Sequence, residues 1–192
     1  MGVLALQGDF REHLAVLRDL GADAVPVRRE RELDSVSGLV IPGGESSVMD
    51  KLARAFGLVE PVRARIAAGM PVYGTCAGLI MLADTVLDAI EGQQSLGGLD
   101  VAVRRNAFGS QLDSFEADLP VPAFGGPPTH AVFIRAPIVE SAGPAVEPLV
   151  TLPDGRMVAV EQGGLIGTSF HPEIADDLRF HDHFLQKARA AG

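Results

Sequence analysis

Short, continuously apolar segments alternate with helix-like segments along the first two fifths of the chain. The predicted elements are strands at residues 3–6, 24–27, 38–41 and around Val72, and helices at 10–20, at 46–56 and from Pro61 onward. Strands that are apolar throughout are typical of parallel sheets covered by helices on both faces. Pro26 cannot donate to a strand ladder, so the second strand is expected at or near a sheet edge. The pattern predicts an α/β fold with a doubly wound, mostly parallel open sheet and functional sites at the carboxyl ends of its strands.

The pattern changes near residue 99, where strand-like segments follow one another without helices between them. These segments are residues 99–104, 115–119, 131–134, 149–152 and 157–160. Asp154-Gly155 is a hairpin-turn signal between the last two, and the proline-rich residues 120–128 are predicted to be a loop. A strand at 165–170 and a helix at 175–190 close the chain. We expect an additional antiparallel strand region within a single domain spanning residues 1–192.

Charge and cysteine usage exclude several classes of function. The net charge of −9 argues against nucleic acid binding, which depends on basic patches. No apolar run approaches the length of a membrane span, and the N-terminal segment lacks the features of a secretory signal. A single cysteine excludes a disulfide framework and fits a reducing compartment. We therefore expect a cytoplasmic protein without a membrane or nucleic acid partner.

Cys76, the lone cysteine, lies where a nucleophile is expected. It follows the predicted strand around Val72, precedes a helix-forming run and is flanked by Gly74 and Gly78. Glycines around a reactive residue allow a sharp strand-to-helix corner, as in the nucleophile elbow of hydrolases. A helix N-terminus at that corner favours the thiolate, which is the attacking form. The flanking glycines favour a nucleophile over a cysteine that is merely packed as a small apolar residue.

A cysteine nucleophile needs a base, and five histidines are candidates. His171 alone lies at the carboxyl end of a predicted core strand, in the sequence His171-Pro172-Glu173. Proline favours an extended predecessor, and side chains two apart in an extended segment share a face. Glu173 is therefore predicted to orient His171; a turn with a solvated acid is the alternative. A metal site at His181 and His183 is disfavoured, because helical residues two apart point in different directions, and a solvated face is predicted there.

The segment Pro42-Gly43-Gly44-Glu45-Ser46-Ser47 follows the third strand. Its glycines expose backbone N–H groups, which suits an oxyanion hole. Ser46 or Ser47 is predicted to cap the following helix. A phosphate-binding loop is the competing interpretation, but the lysine of the Walker pattern is absent.

With these motifs in place, the chain resembles the class I, triad-type glutamine amidotransferases. Within them it is most similar to the family of glutaminase subunits of pyridoxal phosphate synthase. The resemblance runs nearly end to end and is carried by residues 6–8 with 11–13, 42–47, 74–78, 105–109, 113–117, 132–137 and 169–173. It implies a flavodoxin-like fold, a Cys76, His171 and Glu173 triad, and no cofactor or metal. One departure is Ser110, where many relatives carry a basic residue.

The resemblance also implies roles for individual residues. The glutamine contacts it implies are Gly44, Glu45, Ser46, Arg105, Ile134 and Arg135. Backbone N–H groups of Gly43, Gly44 and Ala77 are expected to form the oxyanion hole. A synthase partner is expected to bind the first helix and its preceding turn, at Gln7, Gly8 and Arg11.

Two of these residues also receive a prediction from their neighbours in the sequence. By strand position alone Arg105 would be a solvated charge, whereas the apolar neighbours of Arg135 predict a buried and partnered guanidinium. Two other functions stay open: a stand-alone γ-glutamyl cysteine hydrolase and a non-catalytic, flavodoxin-like binding module.

Overall fold

The computed structural model describes residues 1–105, 107, 114–175 and 177–191. Its elements in chain order are β1 (Gly2–Leu4), α1 (Phe10–Asp19), β2 (Val25–Val27), α2 (Glu30–Asp34), β3 (Leu39–Ile41), α3 (Ser46–Ala55), α4 (Val59–Ala67), β4 (Val72–Thr75), α5 (Ala77–Leu82), β5 (Ala83–Leu87), β6 (Leu99–Arg104), β7 (Ser114–Leu119), β8 (Thr129–Ile134), β9 (Ile138–Ala142), β10 (Glu147–Thr151), β11 (Met157–Gln162), β12 (Leu165–Thr168) and α6 (Arg179–Ala190). None of the helices in this part of the chain is long and apolar enough to cross a membrane.

One large sheet organises the chain, with strand order β2-β1-β3-β4-β12-β11-β9-β6-β5 and β10 paired to β11. The strands from β2 to β12 are parallel, as predicted, and β2 is the edge strand that Pro26 indicated. Beyond β12 the pairing becomes antiparallel, except between β5 and β6. The sheet is therefore mixed, with a parallel part and the antiparallel strand region that the sequence predicts. A separate antiparallel pair, β7 and β8, completes the strand region.

Apolar side chains cover both faces of the parallel strands. β1, β3, β4 and β12 are buried along their whole length. Neighbouring residues point to opposite faces: Ile41 belongs to the core cluster that contains Leu79 of α5, while Val40 belongs to the cluster that contains Leu17 of α1 and Phe184 of α6. Burial on both faces explains why these strands read as continuous apolar runs rather than as alternating ones.

Several predicted boundaries differ from the structure. The last helix begins at Arg179 rather than at residue 175, and α4 begins two residues before Pro61. α2, β5 and β9 were not predicted. The Asp154-Gly155 hairpin turn is confirmed, since it joins the antiparallel strands β10 and β11.

Candidate active site

The corner between β4 and α5 presents Cys76. This residue has φ of 48° and ψ of −102°, a conformation that L residues rarely adopt. Its N–H donates to the carbonyl oxygen of Thr168 at the end of β12 over 2.7 Å, which ties the corner to the sheet. The sulfur lies 3.9 Å from the carbonyl oxygen of Ile134. The predicted strand-to-helix corner is confirmed, and its strained backbone is typical of functional positions.

The two glycines beside Cys76 permit close packing rather than the turn itself. Neither Gly74 nor Gly78 has a positive φ, and the cysteine takes that conformation instead. A Cβ on Gly78 would lie 2.0 Å from the carbonyl oxygen of Ile41, and one on Gly74 would lie 2.5 Å from the backbone of Gly78. Because both positions lack a side chain, α5 can begin directly against β3 and β4.

His171 and Glu173 meet directly after β12. The Nδ1 atom of His171 donates to Oε1 of Glu173 over 2.7 Å, and the carboxylate side chain is 0% exposed. The extended segment predicted here is wrong: the N–H of Ile174 donates to the carbonyl oxygen of His171 over 3.3 Å, which closes a turn. The turn itself brings the two side chains together. The Cys76 side chain also interacts with His171 and favours its protonated form, so the three side chains form one connected chain.

The charges in this chain of side chains stabilise one another. Burial works against a charge on the imidazole, but hydrogen bonds to Cys76 and Glu173 outweigh it and raise the pKa of His171 to about 10. Burial also works against an ionised Glu173. Hydrogen bonds from His13 and His171, together with the charge of His171, nevertheless hold the pKa of Glu173 well below its ordinary value. The arrangement favours a protonated imidazole between a sulfur and a carboxylate, which is the state a thiolate nucleophile requires.

A cavity of about 410 Å³ opens beside these groups. It is lined by Gln7, Asp9, Gly44, Glu45, Ser46, Cys76, Ile80, Arg105, Ile134, Arg135, His171 and Ile174. All six residues expected to contact glutamine therefore lie on one surface with the cysteine and the histidine. The lining residues Asp9, Ile80 and Ile174 were not predicted, and no motif pointed to them.

Opposite charges meet on one wall of this cavity. Nη2 of Arg105 donates to Oε1 of Glu45 over 2.8 Å, and Nη1 donates to Oε1 of Gln93 over 2.8 Å. The amide of Gln93 in turn donates to Oγ of Ser46 over 3.0 Å. The Arg105 side chain is 13% exposed, so it is not the solvated charge that its strand position alone would suggest.

Glu45, and not a serine, caps α3. Its carboxylate accepts from the N–H of Val48 over 2.7 Å and from the hydroxyl of Ser47, which corrects the prediction that Ser46 or Ser47 is the cap. Burial opposes the charge on Glu45, but the hydrogen bond from Ser47 leads a set of contacts that lower the pKa of the carboxyl. A negative charge is therefore held on the cavity wall.

The rim of the cavity departs from the prediction for Arg135. This residue is exposed and has φ of 46°, so the predicted buried and partnered guanidinium is wrong. Its neighbour Ile134 is 41% exposed. The exposure of Ile134 and Arg135 follows from the position of β8, which pairs with β7 in a two-stranded sheet and ends at the cavity mouth. Ser110 and parts of its motif, residues 106 and 108–113, lie outside the described residues.

Two further histidines lie buried beneath the site. His13 of α1 and His181 of α6 are both 0% exposed, and their Nδ1 and Nε2 atoms are 2.8 Å apart. The solvated face predicted for the last helix is therefore wrong at His181. His183 is half-buried, and its Nε2 lies 2.6 Å from Oε2 of Glu161.

Asp9, His171 and Glu173 also carry the side-chain types that bind metals, with ligand atoms within 4.8 Å of one another. Both carboxylates lie near Nδ1 of His171, which donates to Glu173 and lies 3.7 Å from Oδ2 of Asp9. An imidazolium between two carboxylates accounts for this grouping by charge alone.

Comparison with known proteins agrees with the geometry. The model of the SNO glutamine amidotransferase family matches residues 3–190. A pyridoxal 5'-phosphate synthase subunit PdxT from Leifsonia xyli subsp. xyli is 71% identical, over 97% of this chain and 94% of its own length. A protein of the same name from Clavibacter sepedonicus is 65% identical, over 100% of this chain and 92% of its own length.

A solved structure agrees as well. The crystal structure of a glutamine amidotransferase matches with a TM-score of 0.91 and 47% identity, covering 97% of each chain. The α/β fold, with its mixed sheet and separate strand pair, is therefore that of a glutamine amidotransferase. Since the family match spans almost the whole sequence, the chain belongs to the SNO glutamine amidotransferase family.

Proposed function

We propose that this protein hydrolyses the side-chain amide of L-glutamine to L-glutamate and ammonia, and that the ammonia serves pyridoxal 5'-phosphate synthesis. The observation that carries the proposal is the connected chain of Cys76, His171 and Glu173 beside the cavity, in which His171 is hydrogen-bonded to Glu173. Family membership and relatives named as pyridoxal 5'-phosphate synthase subunits support the choice of reaction and pathway.

In the first half of the reaction, the Cys76 thiolate attacks the δ-carbonyl carbon of glutamine. The carbonyl π electrons move to oxygen and form a tetrahedral oxyanion. When this intermediate collapses, the carbon–nitrogen bond breaks and the protonated His171 gives its proton to the departing nitrogen, so ammonia leaves. A γ-glutamyl thioester on Cys76 remains.

In the second half, neutral His171 takes a proton from water as the water oxygen attacks the thioester carbon. Collapse of this second intermediate breaks the carbon–sulfur bond, releases glutamate and regenerates the thiolate beside an imidazolium. Glu173 keeps the Nδ1 proton of His171 fixed, so the other ring nitrogen faces the sulfur in both halves.

The wall charges suit the zwitterionic end of glutamine. Arg105 offers a guanidinium for the α-carboxylate, and Glu45 offers a carboxylate for the α-ammonium. Gly44, Ser46, Ile134 and Arg135 complete the proposed contacts, because they line the same cavity. When the α-carboxylate of glutamine binds Arg105 and its α-ammonium binds Glu45, these two contacts would replace the ion pair that Glu45 and Arg105 make with each other.

The proposal assigns the oxyanion to backbone N–H groups of Gly43, Gly44 and Ala77. Ala77 is the first residue of α5, so its N–H has no partner within the helix. Gly43 lies against the reacting groups: a Cβ there would lie 2.3 Å from Cε1 of His171.

The partner in this proposal is a synthase subunit of the PdxS type, which binds at Gln7, Gly8 and Arg11. Arg11 is exposed, and the turn before α1 packs on the glycine loop, residues 42–45 between β3 and α3. Oε1 of Gln7 accepts from the N–H of Glu45 over 2.9 Å, and a Cβ on Gly8 would lie 1.7 Å from the carbonyl oxygen of Gly43. A partner that moves this turn would therefore move the loop that is proposed to hold the oxyanion.

Three broader features belong to the same proposal. The parallel strands β1, β2, β3, β4 and β12 have the spatial order 2-1-3-4-5 when numbered along the chain, which supports a flavodoxin-like core. The shared sheet supports one domain over residues 1–192. The single free cysteine supports a cytoplasmic location.

The test compares glutamate release by wild type and Cys76→Ala, each with and without the synthase subunit. We expect release to require Cys76 and to rise when the synthase is added. Equal release by Cys76→Ala would contradict the nucleophile. Equal wild-type release with and without synthase would contradict the coupling. Faster turnover of γ-glutamyl peptides than of glutamine would favour a stand-alone hydrolase.

A further inference from the structure

A second imidazole faces the carboxylate of Glu173, and the mechanism above does not use it. Nε2 of His13 lies 3.5 Å from Oε1 of Glu173, and both side chains are 0% exposed. The same nitrogen lies 3.1 Å from Oγ1 of Thr75, the residue before the nucleophile. His13 and His171 therefore face the same oxygen of Glu173, and His13 does so in a position closed to solvent.

The other nitrogen of His13 is also held. Its Nδ1 lies 2.8 Å from Nε2 of His181. Burial above all lowers the pKa of His181 to about 3, so His181 is neutral and has one N–H. If Nε2 of His181 carries that proton, it donates to Nδ1 of His13. The Nδ1 atom of His181, which has no hydrogen-bond partner among the described residues, is then a bare lone pair rather than a costly buried N–H.

This hydrogen bond decides where the proton of a neutral His13 lies. Because Nδ1 of His13 accepts from His181, Nε2 carries the proton and points it between Oγ1 of Thr75 and Oε1 of Glu173. Oε2 of Glu173 is buried and has no hydrogen-bond partner among the described residues. Within the described part of the chain, this carboxylate is therefore held through Oε1, between the N–H groups of two imidazoles.

We propose that His13 is a positioning residue for the reaction, which keeps Glu173 ionised and oriented so that Glu173 can in turn hold His171. This inference rests on the proposed glutaminase function. It adds a fourth side chain, and behind it His181, to the chain that starts at Cys76. His13 does not touch the substrate in this scheme and acts only through the carboxylate.

Loss of the His13 N–H should change the pH dependence of the reaction. The titratable groups that face Glu173 from the surrounding elements are Asp9, His13, Tyr73, His171 and His181. Among them the hydrogen bond from His13, like that from His171, favours the ionised carboxyl. Without it, Glu173 should take up a proton at higher pH, and the acid limb of the activity profile should move upward.

The test uses two amides of different reach, His13→Gln and His13→Asn, in the complex with the synthase subunit. The amide nitrogen of glutamine reaches the position of Nε2, toward Glu173, whereas that of asparagine reaches only the position of Nδ1, toward His181. We expect His13→Gln to stay within about fivefold of the wild-type kcat. His13→Asn should lose about 10- to 100-fold with little change in KM, and its acid limb should move upward by about one pH unit.

A purely structural role, in which His13 only joins α1 to α6, makes the opposite forecast. His13→Asn would then be at least as active as His13→Gln, and that ranking would overturn the proposal. Imidazole ¹⁵N NMR on the wild-type protein gives a second answer that needs no folded variant. A proton on Nε2 of His13 is expected, and a proton on Nδ1 alone would also overturn the proposal.

Failure of this inference is distinguishable from failure of the proposed function. Wild type and Cys76→Ala are measured beside the two variants. A wild-type complex without Cys76-dependent glutamate release would refute the proposed function, whatever the NMR result. An active wild type with equal kcat values for the Gln and Asn variants would refute the role of His13 alone.

Discussion

Replacing the buried His181 should make the protein less sensitive to acid. In the folded protein, burial above all lowers the pKa of His181 from 6.5 to about 3. A histidine whose pKa is lower in the folded state than in the unfolded state stabilises the fold fully at pH values above its unfolded-state pKa. This contribution is lost as the pH falls toward its folded-state pKa. The stability that depends on a neutral His181 is therefore lost between about pH 6.5 and about pH 3.

The size of the effect follows from the two pKa values. At about pH 5 the unfolded chain has gained the His181 proton, while the folded chain has not. This pH lies about 1.5 units below the unfolded-state pKa of His181. At about 1.36 kcal/mol per unit, the free energy of unfolding is lowered by about 2 kcal/mol. His171 acts in the opposite direction over the same range. Its folded-state pKa of about 10 gives stability that is full below 6.5 and is lost as the pH rises through 10.

Between about pH 8 and about pH 5, the His171 contribution grows by about 2 kcal/mol and offsets the loss from His181 in wild type. The measurement is therefore the difference in unfolding free energy between His181→Gln and wild type, by urea unfolding at both pH values. We expect the variant to gain about 2 kcal/mol relative to wild type at the lower pH. Its amide keeps a donor toward His13 but cannot take up a proton.

His181→Phe is the matched control, since it does not titrate either. It should show the same pH-dependent gain, even though its stability at about pH 8 is lower because the bond to His13 is gone. A constant difference between each variant and wild type at both pH values would refute the view that His181 is buried in its neutral form.

Two further predictions concern the corner and the glycine loop. Gly43→Ala places a Cβ 2.3 Å from Cε1 of His171; the ring must move, and we expect glutamate release to fall about 100-fold, as for a misplacement near 1 Å. Wild-type rates in a variant shown to be folded by circular dichroism would contradict this. Cys76→Gly should be about 1 kcal/mol more stable than Cys76→Ala in urea unfolding, because glycine relieves the positive φ of 48°. Equal stability of the two inactive variants would argue against strain at this position.

The sequence reveals the part of the fold that is encoded locally. β1, β3, β4 and β12 could be predicted because each is a continuous apolar run between helices or turns. β9 could not, since its last three residues are exposed and its identity as a strand depends on pairing with β6, which lies far away in the sequence. The start of α6 was misplaced because residues 171–175 form successive turns instead of continuing into the helix.

The sequence contains a signal that His181 is buried, but this signal is the spacing of His181 from the apolar residues of α6 and not its spacing from His183. The buried residues of α6 are Phe180, His181, Phe184, Leu185 and Ala188. Positions three, four and seven residues apart lie on one face of a helix, so His181 lies within a stripe set by its apolar neighbours. His13 lies in the same way beside Leu14 and Leu17 in α1. That these two histidines meet depends on α1 and α6 packing on one face of the sheet, which local patterns do not specify.

The position of the candidate site follows from the order of four adjacent parallel strands. Asp9 and His13 follow β1, Gly43 follows β3, Cys76 follows β4 and His171 follows β12, while these strands are neighbours in the sheet. The register then fixes the contacts: Thr168 is opposite Thr75, and the next N–H, that of Cys76, donates to Thr168. A one-residue slip of β12 would turn each of its side chains to the other face and carry His171 away from the sulfur. Buried apolar side chains on both faces of β12 oppose such a slip, so the packing that stabilises the sheet also keeps the sulfur, imidazole and carboxylate in contact.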